Sequence, residues 1–153
     1  MGVMSLTHTN NTETMRRLIA DPGRWVVVGL SNNDDRDALR VAQWLKKEMD
    51  KAIIPVHPSA ETVDGDTGYA SVSDIPDTDI KVVDCFVNSE HVGGVVDEVI
   101  ANKDRLKIDA IWMQLGVEDP AAADRAREAG LMVVMNTCPK IEWRRLRGEG
   151  AIR

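Results

Sequence analysis

Short uninterrupted apolar runs alternate along the chain with segments whose apolar residues recur every three or four positions. Runs of the first kind suit strands covered on both faces, and the second kind suits amphipathic helices. Met15, Leu18 and Ile19 share one helical face between Thr12 and Ile19, and Asp21-Pro22-Gly23 stops that helix. Trp25 to Leu30 then reads as the first and central strand. Asp37 is placed to cap a helix reaching about Met49, with Leu39, Val41, Ala42, Leu45 and Met49 inward and Arg40, Lys46, Lys47 and Glu48 outward. The second strand is Ala52 to Val56, in which Pro55 cannot donate to a ladder and needs an unpaired position.

The region from His57 to Ser73 is rich in Gly, Ser, Asp and Thr and reads as a long loop, with a helical turn near Val72 to Ile75. Ile80 to Phe86 is a third strand, followed by a helix from Ser89 to Asn102 that Gly93-Gly94 weakens and close packing explains. Ile108 to Met113 is a fourth strand. Asp119-Pro120 places a cap before a first-turn proline and opens a helix to Ala129, ended by Gly130. Leu131 to Met135 is the fifth strand, and a last helix runs from Pro139 through Leu146, with Lys140, Arg144, Arg145 and Arg147 as a solvated cationic face.

Parallel strands alternating with helices need right-handed crossovers and a sheet covered on both sides. The expected fold is therefore α/β: a Rossmann-like, doubly wound, mostly parallel five-stranded sheet with helices on both faces. Its ligand site lies outside the carboxyl ends of the strands, near the point where strand order reverses.

Composition narrows the function. The 153 residues match one compact domain, and nothing resembles a linker or repeat, so residues 12–153 are expected to form a single domain behind a loosely ordered arm at 1–11. A net charge of −6 without a continuous basic stripe argues against nucleic acid. The sequence shows no secretory apolar region and no membrane-length apolar stretch, and Cys85 and Cys138 are far apart, so a cytoplasmic setting without membrane association is expected. His8, His57 and His91 lack metal-ligand spacing with the cysteines, so no metal site is expected. A homodimer is only the general prior for soluble proteins.

Candidate chemistry is concentrated at the strand ends. Gly29-Leu30-Ser31-Asn32-Asn33 ends the first strand in a glycine and leads to a helix N-terminus, where free backbone N–H groups favour an anion. It lacks the second glycine of the dinucleotide fingerprint, and Val56-His57-Pro58 offers no carboxylate for an NAD ribose. Arg36 and Arg40 are phosphate contacts on one reading and partners of Asp34, Asp35 and Asp37 on the other. Cys138 stands just before a helix, where the N-terminal field lowers a thiol pKa and supports a mixed disulfide; the alternative is a buried, inert cysteine. Cys85 reads as core. Asp84 and Glu142 are isolated acids with no nucleophile tied to them, which favours capping or surface pairing over acid/base work. The four tryptophans read as packing rather than a stacking platform.

Taken in order, Val28-Gly29-Leu30-Ser31, Ile54-Pro55-Val56-His57-Pro58, Val83-Asp84-Cys85-Phe86, Ile111-Trp112-Met113-Gln114-Leu115-Gly116 and Met135-Asn136-Thr137-Cys138-Pro139 resemble the small stand-alone CoA-binding proteins, over about Trp25 to Leu146. They are also similar to the N-terminal CoA-binding domain of succinyl-CoA synthetase alpha subunits. The resemblance implies coenzyme A or an acyl-CoA as ligand. It implies that Gly29, Leu30 and Ser31 lie against the phosphate or pantetheine region, with Arg36 and Arg40 near anionic oxygens. His57, Pro58, Asp84, Cys85 and Phe86 would border the nucleotide, and Gln114, Leu115 and Gly116 the pantetheine path, with Cys138 available for a mixed disulfide with CoA. His57 departs from the asparagine common in the family, and the aspartates beside the first turn add negative charge. Binding without catalysis is the favoured expectation; a nicotinamide oxidoreductase or a subunit of an acyl-CoA ligase stays open as the alternative.

Overall fold

A computed structural model describes residues 8–148. Helix α1 (Thr12–Ala20) precedes strand β1 (Arg24–Val28), which is followed by α2 (Asp37–Lys47) and β2 (Ala52–Val56). After a single 3-10 turn at Val72–Asp74 come β3 (Val82–Cys85), α3 (Ser89–Leu106), β4 (Ala110–Met113), α4 (Pro120–Glu128), β5 (Met132–Val134) and α5 (Pro139–Gly148). All four strand pairings are parallel, in the order β2-β1-β3-β4-β5. The direction of winding reverses between β1 and β3, so the Rossmann-like α/β fold has its switch point there.

Strand alternation divides the core in two. Val26, Val28, Val83, Cys85, Ile111 and Met113 join Val92, Val96 and Val99 of α3 and the alanines Ala122, Ala123 and Ala126 of α4 in one cluster. Trp25, Val27, Val82 and Trp112 face the other way, onto Met15, Leu18 and Ile19 of α1, Ala38, Val41, Ala42 and Leu45 of α2, and Trp143 of α5. Successive strand residues point to opposite faces, which is why runs with no polar alternation are needed to fill both layers. Trp25 and Trp112 are fully buried with ring centroids 5.8 Å apart, and Trp44 and Trp143 pack against the same layer.

Several boundaries differ from expectation for local reasons. The first strand stops at Val28 because Gly29 turns with φ +95°, and Leu30 is buried in the loop beyond. Asp37 does not cap α2: Arg36 occupies the cap position without a side-chain bond, and Asp37 lies in the first turn, paired with Arg40. Helix α3 runs four residues past Asn102, ending where Lys107 turns left-handed with φ 51°. Gly93 is in close packing, since a Cβ there would lie 3.2 Å from Asp119 Oδ2, whereas Gly94 meets nothing. Pro55 fits because β2 is an edge strand. Its carbonyl accepts from Tyr69 N–H at 3.0 Å on the outer side, so its nitrogen also points away from β1. Asp119 does cap α4, accepting from Ala122 N–H at 3.0 Å. Asn10 exchanges two side-chain hydrogen bonds with the backbone of Met135, at 2.8 and 2.9 Å, while residues 1–7 of the expected arm lie outside the described residues.

Candidate functional site

The carboxyl ends of β1, β2, β3 and β4 open onto a cleft of about 600 Å³. Gly29, Ser31, Asn33, Asp35, Arg36, Asp37 and Ala38 line one side, and His57, Pro58, Phe86, Val87, Gln114, Leu115 and Val117 line the rest. A second cavity of about 320 Å³ continues toward α5, sharing Asp37, Phe86, Gln114 and Leu115 and adding Arg40, Val41, Cys138, Lys140, Ile141 and Arg144. The two volumes together fall in the ordinary range of cofactor sites.

The turn after β1 is held from both sides. Gly29 N–H donates to Val56 O at 2.7 Å, and Phe86 N–H donates to Val28 O at 2.8 Å. A Cβ on Gly29 would come within 2.3 Å of Phe86 O, and its positive φ is one that other residues adopt only under strain. Glycine is required here twice over. Beyond it, Asn32 presents its N–H and side-chain amide to Glu61 Oε1 at 3.0 and 2.8 Å, so a carboxylate of the chain itself sits on this turn. The bond from Asn32 N–H is the main cause holding the Glu61 carboxyl below its usual range, helped by Ser59 Oγ–H. Ser31 Oγ accepts from Asn33 N–H at 3.3 Å, and no side chain caps α2, so the first-turn N–H groups beside Asp37 and Ala38 stay available.

Charge around the cleft is partly spent. Arg40 donates to Asp34 O at 2.8 Å and to Asp37 Oδ1 at 2.7 Å, which ties its fork to its own loop. Arg36 lines the cleft and makes no ion pair among the described residues. His57 Nδ1 accepts from Ser59 N–H at 3.1 Å, which places the proton of a neutral ring on Nε2. Gln114 is 4% exposed, and its Oε1 has no partner although it lies where the two cavities meet. An unfilled buried acceptor at a cavity wall is costly unless a ligand donates to it.

The other sequence-selected residues occupy different positions. Leu30, Asp84 and Cys85 are buried and line neither cavity. Both Asp84 oxygens lack partners, and burial pushes its carboxyl well above the normal range. Burial, with the Asp84 charge second, also pushes the Cys85 thiol upward. Gly116 lies outside both linings and donates its N–H to Asn136 Oδ1 at 2.7 Å, so Asn136 braces the loop that carries Leu115. Cys138 is buried at the entry to α5 and faces the second cavity. Glu142 is buried rather than paired at the surface, and accepts from Thr137 Oγ1–H and from Arg145.

Asn33, Val87 and Val117 line the cleft from the segments just after β1, β3 and β4, where such a fold places its ligand, whereas Glu61 escaped the sequence reading because it reaches Asn32 across 29 positions without a local signal. Lys140 and Arg144 do not form a purely solvated face, because both line the second cavity. Their i, i+4 spacing was the available signal. The described residues contain no group of acids, histidines and cysteines able to hold a metal, and no helix long and apolar enough to cross a membrane.

The Bacillus subtilis (strain 168) protein YneT is 31% identical over 131 residues, covering 83% of this chain and 90% of that protein. The structure of Prb, a protein redesigned for binding, is 34% identical with a TM-score of 0.81, over 92% of this chain and 94% of its own. A hypothetical protein from Pyrococcus horikoshii OT3 is 32% identical with a TM-score of 0.79, over 94% of this chain and 100% of its own. Residues 23–144 match the model of the CoA binding domain, a span that includes every lining residue of both cavities. The chain therefore belongs to the CoA-binding domain family.

Proposed function

We propose that the two cavities form one elongated site for coenzyme A or an acyl-CoA, and that the domain binds this ligand without chemistry of its own. The observation that carries the reading is the continuity of the cavities through Phe86, Gln114 and Leu115, which joins a phosphate-type turn to a narrower apolar recess. Coenzyme A has that shape: a phosphorylated nucleotide at one end and a thin pantetheine arm at the other. Its diphosphate fits the turn at Gly29 and Ser31, the uncapped start of α2 and the unpaired Arg36. His57, Pro58 and Phe86 border the nucleotide, and an amide N–H of the pantetheine arm supplies the donor that Gln114 Oε1 lacks. Binding without catalysis is supported by the acids, since Asp84 is sealed in the sheet and Glu142 is held by Thr137 and Arg145.

Calorimetry with coenzyme A, dephospho-CoA and NAD tests the reading. Coenzyme A should bind with a Kd of about 30 μM or tighter, roughly −6 kcal/mol or better. NAD should not compete, because the turn lacks the second glycine and β2 is followed by His57 rather than an acid. Absence of binding by coenzyme A, or tighter binding by NAD, would overturn it.

A further inference from the structure

Among the described residues, Leu115, Met132 and Ile141 are the large hydrophobic side chains left exposed, and Leu115 and Ile141 flank the smaller cavity. Its charged lining consists of Asp37, Arg40, Lys140 and Arg144. Asp37 and Arg40 neutralise each other at 2.7 Å. Lys140 and Arg144 have no hydrogen bond or ion pair among the described residues, so the recess carries two uncompensated positive charges over an apolar floor.

Helix α5 gains nothing from this placement. Lys140 stands in its first turn, where the partial positive charge of the helix end disfavours a cation. Arg144 follows four residues later on the same face, and like charges at that spacing repel. Both penalties disappear when an anion lies between the two side chains. A second observation points to a ligand: Gln114 Oε1, buried and without a partner, lines the passage from the larger cavity into this one. The elongated cleft thus has a phosphate-type turn on one side and a cationic pair on the other, with Asp37, Phe86, Gln114 and Leu115 lining the passage between them.

We propose that the smaller cavity is an acyl subsite selective for an acyl group ending in a carboxylate, with Lys140 and Arg144 as its anion receptors. The inference rests on the coenzyme A reading above and adds the class of acyl group. The thioester end lies beyond Gln114, the chain covers Leu115 and Ile141, and the terminal carboxylate meets the two cations.

The test compares butyryl-CoA and succinyl-CoA, which share a four-carbon chain and differ in the terminal carboxylate. Calorimetry should show succinyl-CoA binding at least tenfold tighter. The double variant Lys140→Gln/Arg144→Gln should bring that ratio close to one, and Arg147→Gln, on the same helix but outside the cavity, should leave the ratio as it is. A circular dichroism melt confirms that each variant is folded, and Arg144→Lys, which keeps the charge, should retain most of the preference. Equal affinity for the two ligands in the unaltered protein overturns the inference while leaving the coenzyme A site intact. So does an equal loss of butyryl-CoA and succinyl-CoA binding in the double variant, which would assign the cations to the nucleotide phosphates. Failure of every CoA form to bind would instead remove the reading on which the inference rests.

Discussion

Replacing Asp84 with asparagine should flatten the dependence of stability on pH. Asp84 lies in β3 with Val27 and Trp112 as its lateral neighbours, all without solvent exposure, and neither of its oxygens has a partner. Burial raises its carboxyl well above the normal range, so the folded protein keeps a proton that the unfolded chain releases above about pH 4. Raising the pH then favours the unfolded chain. Each unit between the unfolded value and the raised folded value costs about 1.4 kcal/mol, so going from about pH 5 to about pH 7 costs at most about 3 kcal/mol from this group. Asparagine keeps the size and the polar cost and removes the proton. Urea unfolding of both proteins across that interval should therefore give curves that converge at low pH and separate as pH rises, with the variant more stable at pH 7. Parallel pH profiles would refute the reasoning, because they would mean that Asp84 is ionised in the folded protein.

Three further outcomes follow from the same geometry. Gly29→Ala places a Cβ 2.3 Å from Phe86 O at a φ of +95°, so it should destabilise by about 1–3 kcal/mol and weaken coenzyme A binding; an unchanged thermal melt would contradict this. Asp119→Ala removes the bond to Ala122 N–H and should cost about 1 kcal/mol, lowering the melting temperature by about 2–4 °C without altering ligand affinity. Oxidised coenzyme A should modify Cys138, which lines the second cavity, in preference to Cys85, whose thiol is buried in the sheet and shifted upward. The exchange joins the Cys138 sulfur to one half of the CoA disulfide and releases the other half as free thiol; peptide mass mapping that finds Cys85 modified equally, or Cys138 untouched, would count against it.

Much of the fold was legible because parallel strands buried on both sides are written as apolar runs. Val26, Val27 and Val28 fill two opposite layers, and the shortness of the run between turn signals separates it from a buried helix. Turn chemistry was equally readable where one residue decides it, as at Gly29, Asp119 and Pro120. The start of α2 was misplaced by one residue because Asp37 is a strong capping residue by type, yet its carboxylate is taken by Arg40. Site residues that follow a strand directly, such as Ser31, His57, Phe86 and Gln114, could be found from topology alone. Those that arrive from elsewhere could not. Glu61 reaches Asn32 from within the long loop, and Arg144 enters the site only because α5 packs beside α2.

Whether coenzyme A occupies the carboxyl end of the sheet is read from amide chemical shifts mapped during a titration with coenzyme A. Saturable shifts should concentrate at Gly29, Ser31, Ala38, His57, Gln114 and Leu115, with the opposite end of the sheet near Arg24 and Ala52 unaffected. No saturable shifts, or shifts confined to that opposite end, would contradict it.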